Sequence, residues 1–345
     1  MLKDRQVTTS PKTLTIIQLM LMMGKGDFRS PDEGGFANIF KPIGMRSTQV
    51  VGKVRRSTKF RRVGHCGTLD PLAWGVLPIA LGRATRFSRY VLGMDKTYEA
   101  VMLCGVSTAS DDLETNPVSM VELAPNLQAV VDVLPLFTGA IEQLPPDYSA
   151  IKVSGVRAYR VAREGGQPSL RSRWVRVDKL KLISAARVPI YMRGESLQVG
   201  NSPDSIDALL VGLEIKCSSG TYIRALVRDI GSHLGCGATL FGLVRTGVGP
   251  FTLSSATEIW QLDLAARENY LETLLYPPDV AVEHLPATVV GSDIGTHLRH
   301  GRKPMQRQRS LLGMHRLYDS DGQFLALASG ENGGWIPKLV WQSAE

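Results

Sequence analysis

GHCGTLDPLAWG, residues 64–75, places one carboxylate, that of Asp70, between glycines and directly before a proline. A residue before proline is restricted to extended backbone, and Gly64, Gly67 and Gly75 allow another chain or a ligand to approach closely. Taken alone, an Asp-Pro pair is more often a turn residue than a catalytic one. The neighbouring segments are rich in lysine and arginine, however, and this setting favours a functional carboxylate.

Charge is the second informative feature of the chain. The 345 residues carry a formal net charge of +8. Much of it lies in two runs, KVRRSTKFRR at 53–62 and HLRHGRKPMQRQR at 297–309. Such runs can be no more than a solvated face, but two of them in one chain favour a nucleic-acid partner.

Several other classes of protein are disfavoured. No apolar run reaches the roughly 20 residues of a membrane span, and LTIIQLMLMMG at 14–24 lacks the features of a signal peptide. We therefore expect a cytoplasmic protein. The four cysteines form no Cys-x-x-Cys pair, and His284, His297 and His300 lie among arginines, so we expect no zinc ribbon, disulfide framework or other metal site.

Alternating helical and strand patterns predict an α+β fold rather than regular βαβ units. Residues 1–34 read as an extension, and STQVVGKVRR predicts a helix with Ser47 as its N-cap. KTYEAVMLCG at 96–105 predicts a strand, and the polar segment 107–126 predicts a loop or lid.

The later part of the chain contains the clearest helix. Tyr222, Leu226, Ile230 and Leu234 recur every four residues, with Thr221 as candidate N-cap and Gly235 as the stop. A second helical stretch is predicted near 256–275. From about residue 281 the pattern changes to short strands, including the hairpin signal LYDSDGQFLALA, which predicts a small β domain.

Arg224 stands in the first turn of the helix after Thr221, where a positive charge is poorly matched to the helix dipole. A carboxylate docked there would gain both the guanidinium and the helix N-terminus, although an arginine that merely reaches solvent is an equal alternative. Tyr98 and Tyr222 suit either packing or stacking on a base. His65 suits a general base, a phosphate contact or a gap filler, and Leu243 suits the core.

The sequence contains neither a phosphate-binding loop of the Walker type nor a dinucleotide-binding glycine motif. We therefore expect no nucleotide cofactor. An enzyme without a cofactor, with one nucleophilic carboxylate and a basic surface, belongs to a short list of classes: strand-cleaving hydrolases, glycosylases, and isomerases that act on a base.

Taken together, the motifs resemble the TruB-type tRNA pseudouridine synthases, in the same order from about Gly35 to Phe251 and more weakly beyond. The matching segments are GFANIFKPIGMRS, GHCGTLDPLAWGVLPIALGRATR, DKTYEA, PPDYSAIKVSGVRAYRVAREG, SSGTYIRALVRDIG and LVRTGVGPF. The chain departs from the usual family pattern at Phe40, Cys66, Trp74 and Val244. Trp74 either narrows the cleft or packs outward, and Val244 replaces an arginine that can contact RNA.

The resemblance implies a role for each matching residue. It makes Asp70 the nucleophile, Tyr98 the ring stacked on the target uracil and Arg224 the salt-bridge partner of Asp70. The other implied contacts to substrate come from four residues: Lys41, His65, Tyr222 and Leu243.

The resemblance also implies the overall organisation: a catalytic domain over 35–277 with the pseudouridine synthase fold, and a small RNA-binding domain of the PUA type over 278–345. The implied substrate is the T arm of tRNA, bound by a monomer without a cofactor. Two alternatives stay open at this point. One is a tRNA-folding chaperone with secondary or no catalysis, and the other is a synthase that depends on a guide RNA.

Overall fold

The computed structural model describes residues 34–121, 125–300, 302, 304, 312–331 and 334–341. Its strands are β1 Phe36–Lys41, β2 Val63–His65, β3 Ala73–Leu81, β4 Lys96–Cys104, β5 Val106–Thr108, β6 Pro117–Met120, β7 Gly139–Gln143, β8 Lys152–Val153, β9 Val156–Arg157, β10 Arg173–Arg193, β11 Ser196–Val199, β12 Ile206–Cys217, β13 Ala238–Val248, β14 Phe251–Thr252, β15 Leu275–Tyr276, β16 Ala287–Val289, β17 Gly313–Tyr318, β18 Phe324–Glu331 and β19 Gly334–Val340.

The α-helices of the described residues are α1 Ser47–Thr58, α2 Ser88–Gly93, α3 Leu127–Val133, α4 Ala158–Arg163, α5 Ile223–His233, α6 Ile259–Arg267 and α7 Ser292–Arg299. Short 3-10 turns span Gly82–Phe87, Leu134–Phe137, Leu253–Ser255, Leu271–Leu274 and Pro278–Val282. Over the described ranges, no helix is both long and apolar enough to cross a bilayer.

One large mixed sheet organises most of the chain. Its main path runs β11-β10-β12-β4-β13-β3-β1-β15, and β2, β7 and β14 pair at its sides. The pairs along this path are antiparallel except β13 with β3. That parallel pair sets Leu243 opposite Ala73 and Arg245 opposite Gly75. Strand β13 therefore joins the segment that follows Asp70 to β4, which carries Tyr98.

Helix α5 covers the centre of this sheet. Its apolar side, including Leu226 and Ile230, packs into a core with Tyr98, Leu213 and Leu243 from the strands below. The helix is amphipathic because its buried positions recur with helical spacing. This packing fixes where the first turn of α5, and hence Arg224, meets the Asp70 loop.

Two helix starts lie one residue from the predicted positions. Arg46, not Ser47, precedes α1, and the Ser47 hydroxyl instead bonds the backbone of Leu69. Tyr222, not Thr221, precedes α5, and the Thr221 hydroxyl donates to the Ser218 carbonyl. In both cases a bond outside the helix replaces the predicted cap. Gly235, with φ of +72°, follows α5 as predicted.

Two longer predictions need correction. Within the predicted loop or lid at 107–126, Thr108 and its neighbours are held in the β5–β6 ribbon, because the side chain of Thr108 is buried and bonds Thr239 of β13. The helix predicted over 256–275 is shorter. It ends at Arg267, where the chain turns at Asn269 with φ of +58°, and resumes as a 3-10 turn at Leu271–Leu274.

The C-terminal part forms a small sheet in the order β16-β17-β18-β19, and the predicted hairpin is confirmed as β17 and β18. Its own core contains Leu317, Leu325 and Trp335, while Leu327 and Trp341 pack against Phe87 of the larger body. The expectation of an α+β fold with a small β-rich C-terminal part is thereby confirmed. The extension over residues 1–34, except its last residue, and most of the second basic run lie outside the described residues.

Candidate active site

The Asp70 loop connects β2 to β3 and is held on both flanks. The Ser47 hydroxyl donates to the Leu69 carbonyl at 3.0 Å and accepts from the Leu69 amide at 2.9 Å, which ties the loop to the start of α1. After the loop, Gly75 has φ of +103°, and a Cβ there would lie 2.3 Å from the Arg245 carbonyl oxygen. Only glycine permits this approach of β3 to β13. The clamped loop leaves the Asp70 side chain 38% exposed.

Arg224 meets Asp70 from α5. Its Nε lies 2.9 Å from Asp70 Oδ2, and its side chain is only 5% exposed. Its terminal nitrogens donate to the carbonyls of Ser110, at 2.8 Å, and Tyr148, at 3.0 Å. The Nε hydrogen is not aligned for a hydrogen bond, so the contact with Asp70 is an ion pair. The structure thus brings together the two charges that the sequence singled out.

A second carboxylate contacts the same arginine, and sequence reasoning missed it. Asp112 Oδ2 lies 3.5 Å from Arg224 Nε, with its side chain 4% exposed. Its other oxygen accepts from the Ser110 hydroxyl at 2.6 Å and from the Glu114 amide at 2.9 Å. Burial raises the pKa of Asp112, and the Arg224 charge partly opposes this. Arg224 therefore lies between one buried and one accessible carboxylate.

The arrangement repeats one helical turn later, where Arg228 Nη1 lies 3.0 Å from Asp111 Oδ2. Burial raises the pKa of Asp111 to about 6, and Arg228 opposes the rise. The sequence did hold a signal for both pairs. Arg224 and Arg228 are spaced i, i+4 on a largely apolar helix, which calls for two acidic partners, and Asp111-Asp112 is an adjacent acidic pair.

Tyr98 and Arg245 face each other across β4 and β13 and are both buried. Arg245, 1% exposed, donates to the carbonyls of Val76, at 2.7 Å, and Gly67, at 3.1 Å. Burial raises the pKa of Tyr98 to about 12, while the Arg245 guanidinium beside its hydroxyl acts in the opposite direction. Arg245 therefore connects the backbone on both sides of Asp70 to the Tyr98 phenol.

Leu243 lies on the same face of the sheet, between Ala73 and Ala100. Its side chain is 7% exposed. A shallow pocket beside it is lined by Asp70, Leu72, Ala73, Asp112 and residues 240–243. The pocket thus combines an accessible carboxylate with apolar walls, and its volume of about 10 Å³ means that it must widen before it can hold a ring.

Tyr222, directly before α5, contacts Arg173, whose guanidinium carbon lies 4.7 Å from the centre of the tyrosine ring. His65 is half-buried, and its Nδ1 is buried without a hydrogen-bond partner. Burial and the Arg245 charge lower the pKa of His65, so its ring is neutral at pH 7. The predicted substrate contacts of Tyr222 and His65 stay predictions.

Lys41 is fully buried, and its predicted contact with substrate stays a prediction. Its ammonium donates to the carbonyls of Pro42, at 2.9 Å, and Met45, at 2.5 Å, and reaches that of Pro71 at 3.4 Å. Burial lowers its pKa to about 8. The structure supports an indirect part for Lys41, as a cation beneath the turn after Asp70.

The family departures lie close to this site without replacing its charged groups. Cys66 is fully buried, and burial raises its pKa to about 11, which makes it an inert thiol. Trp74 is paired with Val244 in the β3–β13 register and is half-buried. Because strand neighbours alternate between faces, Trp74 projects from the face opposite Ala73 and Leu243, which favours outward packing.

A cleft of about 910 Å³ lies elsewhere. Its lining includes Arg89, Tyr90, Lys216 and His284, and none of the residues that surround Asp70. We assign the chemistry to the smaller pocket because only that pocket contains the ion-paired nucleophile candidate. Among the described residues, no group of three or more His, Cys, Asp or Glu side chains could hold a metal ion.

Comparison with known families agrees with this geometry. Residues 55–223 match the TruB family pseudouridylate synthase N-terminal domain, and residues 224–283 match the tRNA pseudouridylate synthase B C-terminal domain. The tRNA pseudouridine synthase B of a Synechocystis species is 42% identical over 275 residues, which cover 78% of this chain and 84% of the relative. That of Bradyrhizobium diazoefficiens is 38% identical over 317 residues, which cover 90% of this chain and 86% of the relative.

Two solved structures share the fold. A Cbf5-Nop10-Gar1 complex matches with a TM-score of 0.63 at 23% identity, covering 90% of this chain and 86% of the matched chain. An archaeal box H/ACA sRNP Nop10-Cbf5 complex matches with a TM-score of 0.63 at 22% identity, covering 92% of this chain and 89% of the matched chain. At these identities the likeness concerns the fold alone.

Proposed function

Because this chain belongs to the TruB family of tRNA pseudouridine synthases, we propose that it isomerises the uridine at position 55, in the T loop of tRNA, with Asp70 as nucleophile. Family membership makes the chain an isomerase that forms pseudouridine in tRNA. The position in tRNA and the role of Asp70 are our proposal. The observation that carries it is the 2.9 Å ion pair between a buried arginine and a carboxylate that is 38% exposed.

The reaction needs no redox step because uridine and pseudouridine are isomers. The bond between N1 and the ribose C1′ breaks, the uracil turns, C5 bonds to C1′ and gives up its proton, and N1 takes up a proton. Attack of the Asp70 carboxylate at C1′ and attack at C6 of the ring both start from a carboxylate beside the scissile bond. Arg224 holds the Asp70 carboxylate in place through an ion pair.

The target base has to leave the stack of the T loop to reach Asp70. Leu243 lines the pocket at Asp70, and Tyr98 belongs to the same core cluster beneath it, although Tyr98 does not itself line the pocket. The Tyr98 ring replaces lost stacking, and its hydroxyl, beside Arg245, is a candidate for handling the C5 proton. We propose that His65 and Tyr222 border the flipped nucleotide.

Exposed cations at the end of α1 would hold the RNA backbone. We call this set the α1 basic stripe: Lys53, Arg55, Arg56, Lys59, Arg61 and Arg62. None of the six forms an ion pair with a described carboxylate, whereas Arg176, Arg187 and Arg267 each have one. Unpaired cations are free to displace counterions from phosphates.

We propose that the enzyme acts as a monomer, with a catalytic unit over residues 35–277 and a C-terminal RNA-binding unit of the PUA type over residues 278–345. Support comes from the site itself, since Asp70, Tyr98, Arg224 and Leu243 all belong to one chain. The same relatives favour a stand-alone tRNA enzyme over a guide-dependent one, because the guide-RNP structures share only the fold.

The test uses tRNA transcripts that carry tritium at C5 of uridine and no added guide RNA. We expect one tritium released per tRNA, retained release from an isolated T-arm hairpin, and none when position 55 is changed to cytidine. Unchanged release after that substitution would refute the assignment of position 55. Binding without any release would leave the chaperone alternative, and release only with a guide RNA would leave the guide-dependent one.

A further inference from the structure

Gln143, the last residue of β7, has a fully buried side chain and lies opposite Arg173 of β10 in the strand register. Its amide makes a two-point contact with the main chain of Tyr222, 79 residues later. The Tyr222 amide donates to Gln143 Oε1 at 2.8 Å, and Gln143 Nε2 donates to the Tyr222 carbonyl at 3.1 Å. The side-chain amide thus forms with Tyr222 the pair of hydrogen bonds that a residue of a neighbouring β-strand would form with its main chain.

The contact lies at the start of α5, because Tyr222 is the residue that precedes the helix. The Tyr222 carbonyl also accepts the first helical bond, from the Leu226 amide at 3.1 Å. Gln143 thus donates a second hydrogen bond to that carbonyl. It also accepts a hydrogen bond from the Tyr222 amide, which has no partner within the helix. Arg224 follows two residues later, so an error in the helix start displaces its guanidinium.

The segment after Gln143 is attached to the same helix at two more places. Arg228 Nη2 donates to the Leu144 carbonyl at 2.8 Å, and Arg224 Nη2 donates to the Tyr148 carbonyl at 3.0 Å. Of these three attachments, the one through Gln143 is uncharged. It is also separate from the pocket at Asp70, whose lining does not include it.

We propose that Gln143 is a positioning residue of this enzyme, which holds the start of α5 so that Arg224 stays within ion-pair distance of Asp70. The inference rests on the proposed roles of Asp70 and Arg224. It predicts a larger loss of chemistry than of tRNA binding, because the amide contacts only the main chain of Tyr222 and neither the pocket at Asp70 nor the α1 basic stripe. An error of about 1 Å in such a constellation costs about 100-fold in rate.

Three variants separate positioning from folding. Gln143→Met keeps the size and removes both hydrogen bonds. In Gln143→Glu an ionised carboxylate faces the Tyr222 carbonyl, whereas the protonated acid restores one acceptor and one donor. Gln323→Glu, at an exposed position, is the matched control for the added charge.

Each variant is compared with the parent protein at pH 5.5 to 8.5 for single-turnover tritium release at saturating tRNA and for tRNA affinity. The charged groups of the neighbouring elements, Arg173 on β10, Arg224 and Arg228 on α5 and Asp111 after β5, are present in the variant and in the parent alike. The ratio of variant to parent rate at each pH therefore isolates residue 143.

We expect Gln143→Met to be slower by roughly 10- to 100-fold at every pH with a smaller loss of affinity. Gln143→Glu should be as slow at pH 8.5 and should recover towards the parent rate as the pH falls. Rates equal to the parent rate in both Gln143 variants would overturn the inference. So would rate losses that are matched by losses of tRNA affinity or melting temperature and that do not recover at low pH. Asp70→Asn is included in the same assay. If it stays active, the proposed function fails, whereas active Gln143 variants beside an inactive Asp70→Asn refute only the positioning role.

Discussion

Two buried arginines flank the Asp70 loop, and they differ in what surrounds their charge. Arg224 lies between the carboxylates of Asp70 and Asp112. Arg245 donates to backbone carbonyls and lies beside the Tyr98 hydroxyl, and its charge helps to lower the pKa of the His65 and Lys96 side chains nearby. The charge of Arg224 is neutralised by carboxylates. The charge of Arg245 instead acts on the neighbouring titratable side chains.

The difference suggests a division of labour around one carboxylate. Arg224 is attached to Asp70 itself, so its removal should act first on the reaction. Arg245 is attached to the backbone at Gly67 and Val76, on either side of Asp70, so its removal should act first on the fold. The predictions below test this contrast.

The largest effect is expected for Arg224→Met. Without the guanidinium the Asp70 carboxylate loses the charge that positions it, so we expect a rate loss of roughly 100-fold or more. Single-turnover tritium release measures it, together with tRNA affinity. The matched control is Arg228→Met, one turn later, which unpairs Asp111 but leaves Asp70 untouched. Equal rate losses in the two variants would contradict a special link between Arg224 and Asp70.

Arg245→Met should act mainly on stability. Its buried carbonyl partners, at Gly67, Thr68 and Val76, lose their donor, and we expect the free energy of unfolding to fall by about 3 kcal/mol. Urea unfolding measures the change, and Arg245→Lys should recover part of it. Arg267→Met, at an exposed position, serves as the control. If Arg245→Met unfolds like the parent protein, the structural half of the contrast is wrong.

Asp111 gives a pH dependence of opposite sign to that of an ordinary salt-bridged carboxylate. Its pKa rises from 3.8 to about 6 on folding, so the native state holds the proton more tightly than the unfolded state. The contribution of Asp111 to the free energy of unfolding is therefore greatest below pH 4. It declines by about 2 kcal/mol as the pH rises to 6. Urea unfolding between pH 4 and 7 should show a smaller decline in Asp111→Asn. Identical slopes in the two proteins would count against the buried acid.

The smallest effect is expected from a single exposed cation. Arg56→Gln, in the α1 basic stripe, should reduce the slope of log affinity against log salt by about 0.7–0.9, the value of one phosphate contact. Arg267→Gln removes an exposed charge that is already paired with Asp263, and its slope should match that of the parent. A filter-binding series in salt decides between them, and equal slopes in all three proteins would remove the stripe from the RNA interface.

Local pattern was sufficient for part of this site. The strand with Tyr98, the helix with Arg224 and the special backbone around Asp70 all follow from periodicity, proline and glycine. The family resemblance then placed Arg224 beside Asp70, and the structure has them 2.9 Å apart. Local pattern gave the wrong prediction where a residue distant in sequence supplied the hydrogen-bond partner. Ser47, for example, bonds the backbone of Leu69 instead of capping α1.

The predicted loop at 107–126 was the main miss. Its polar composition predicted a loop or lid that faces solvent. Instead, Asp111 and Asp112 form ion pairs with Arg228 and Arg224 of α5. Unlike the two arginine–aspartate pairs, the contact of Gln143 with Tyr222 had no signal in the sequence, since nothing near either residue indicates the other. Buried polar pairs of this kind depend on tertiary structure and leave little local trace.

The central claim, that Asp70 is the nucleophile, is tested most directly by Asp70→Asn, which keeps the size of the side chain and removes its charge. Tritium release and tRNA affinity are measured in parallel on the same transcript. The account predicts that release is abolished while affinity and the urea midpoint stay close to those of the parent protein. Release at the parent rate would contradict it, because the carboxylate facing Arg224 would then have no part in the chemistry.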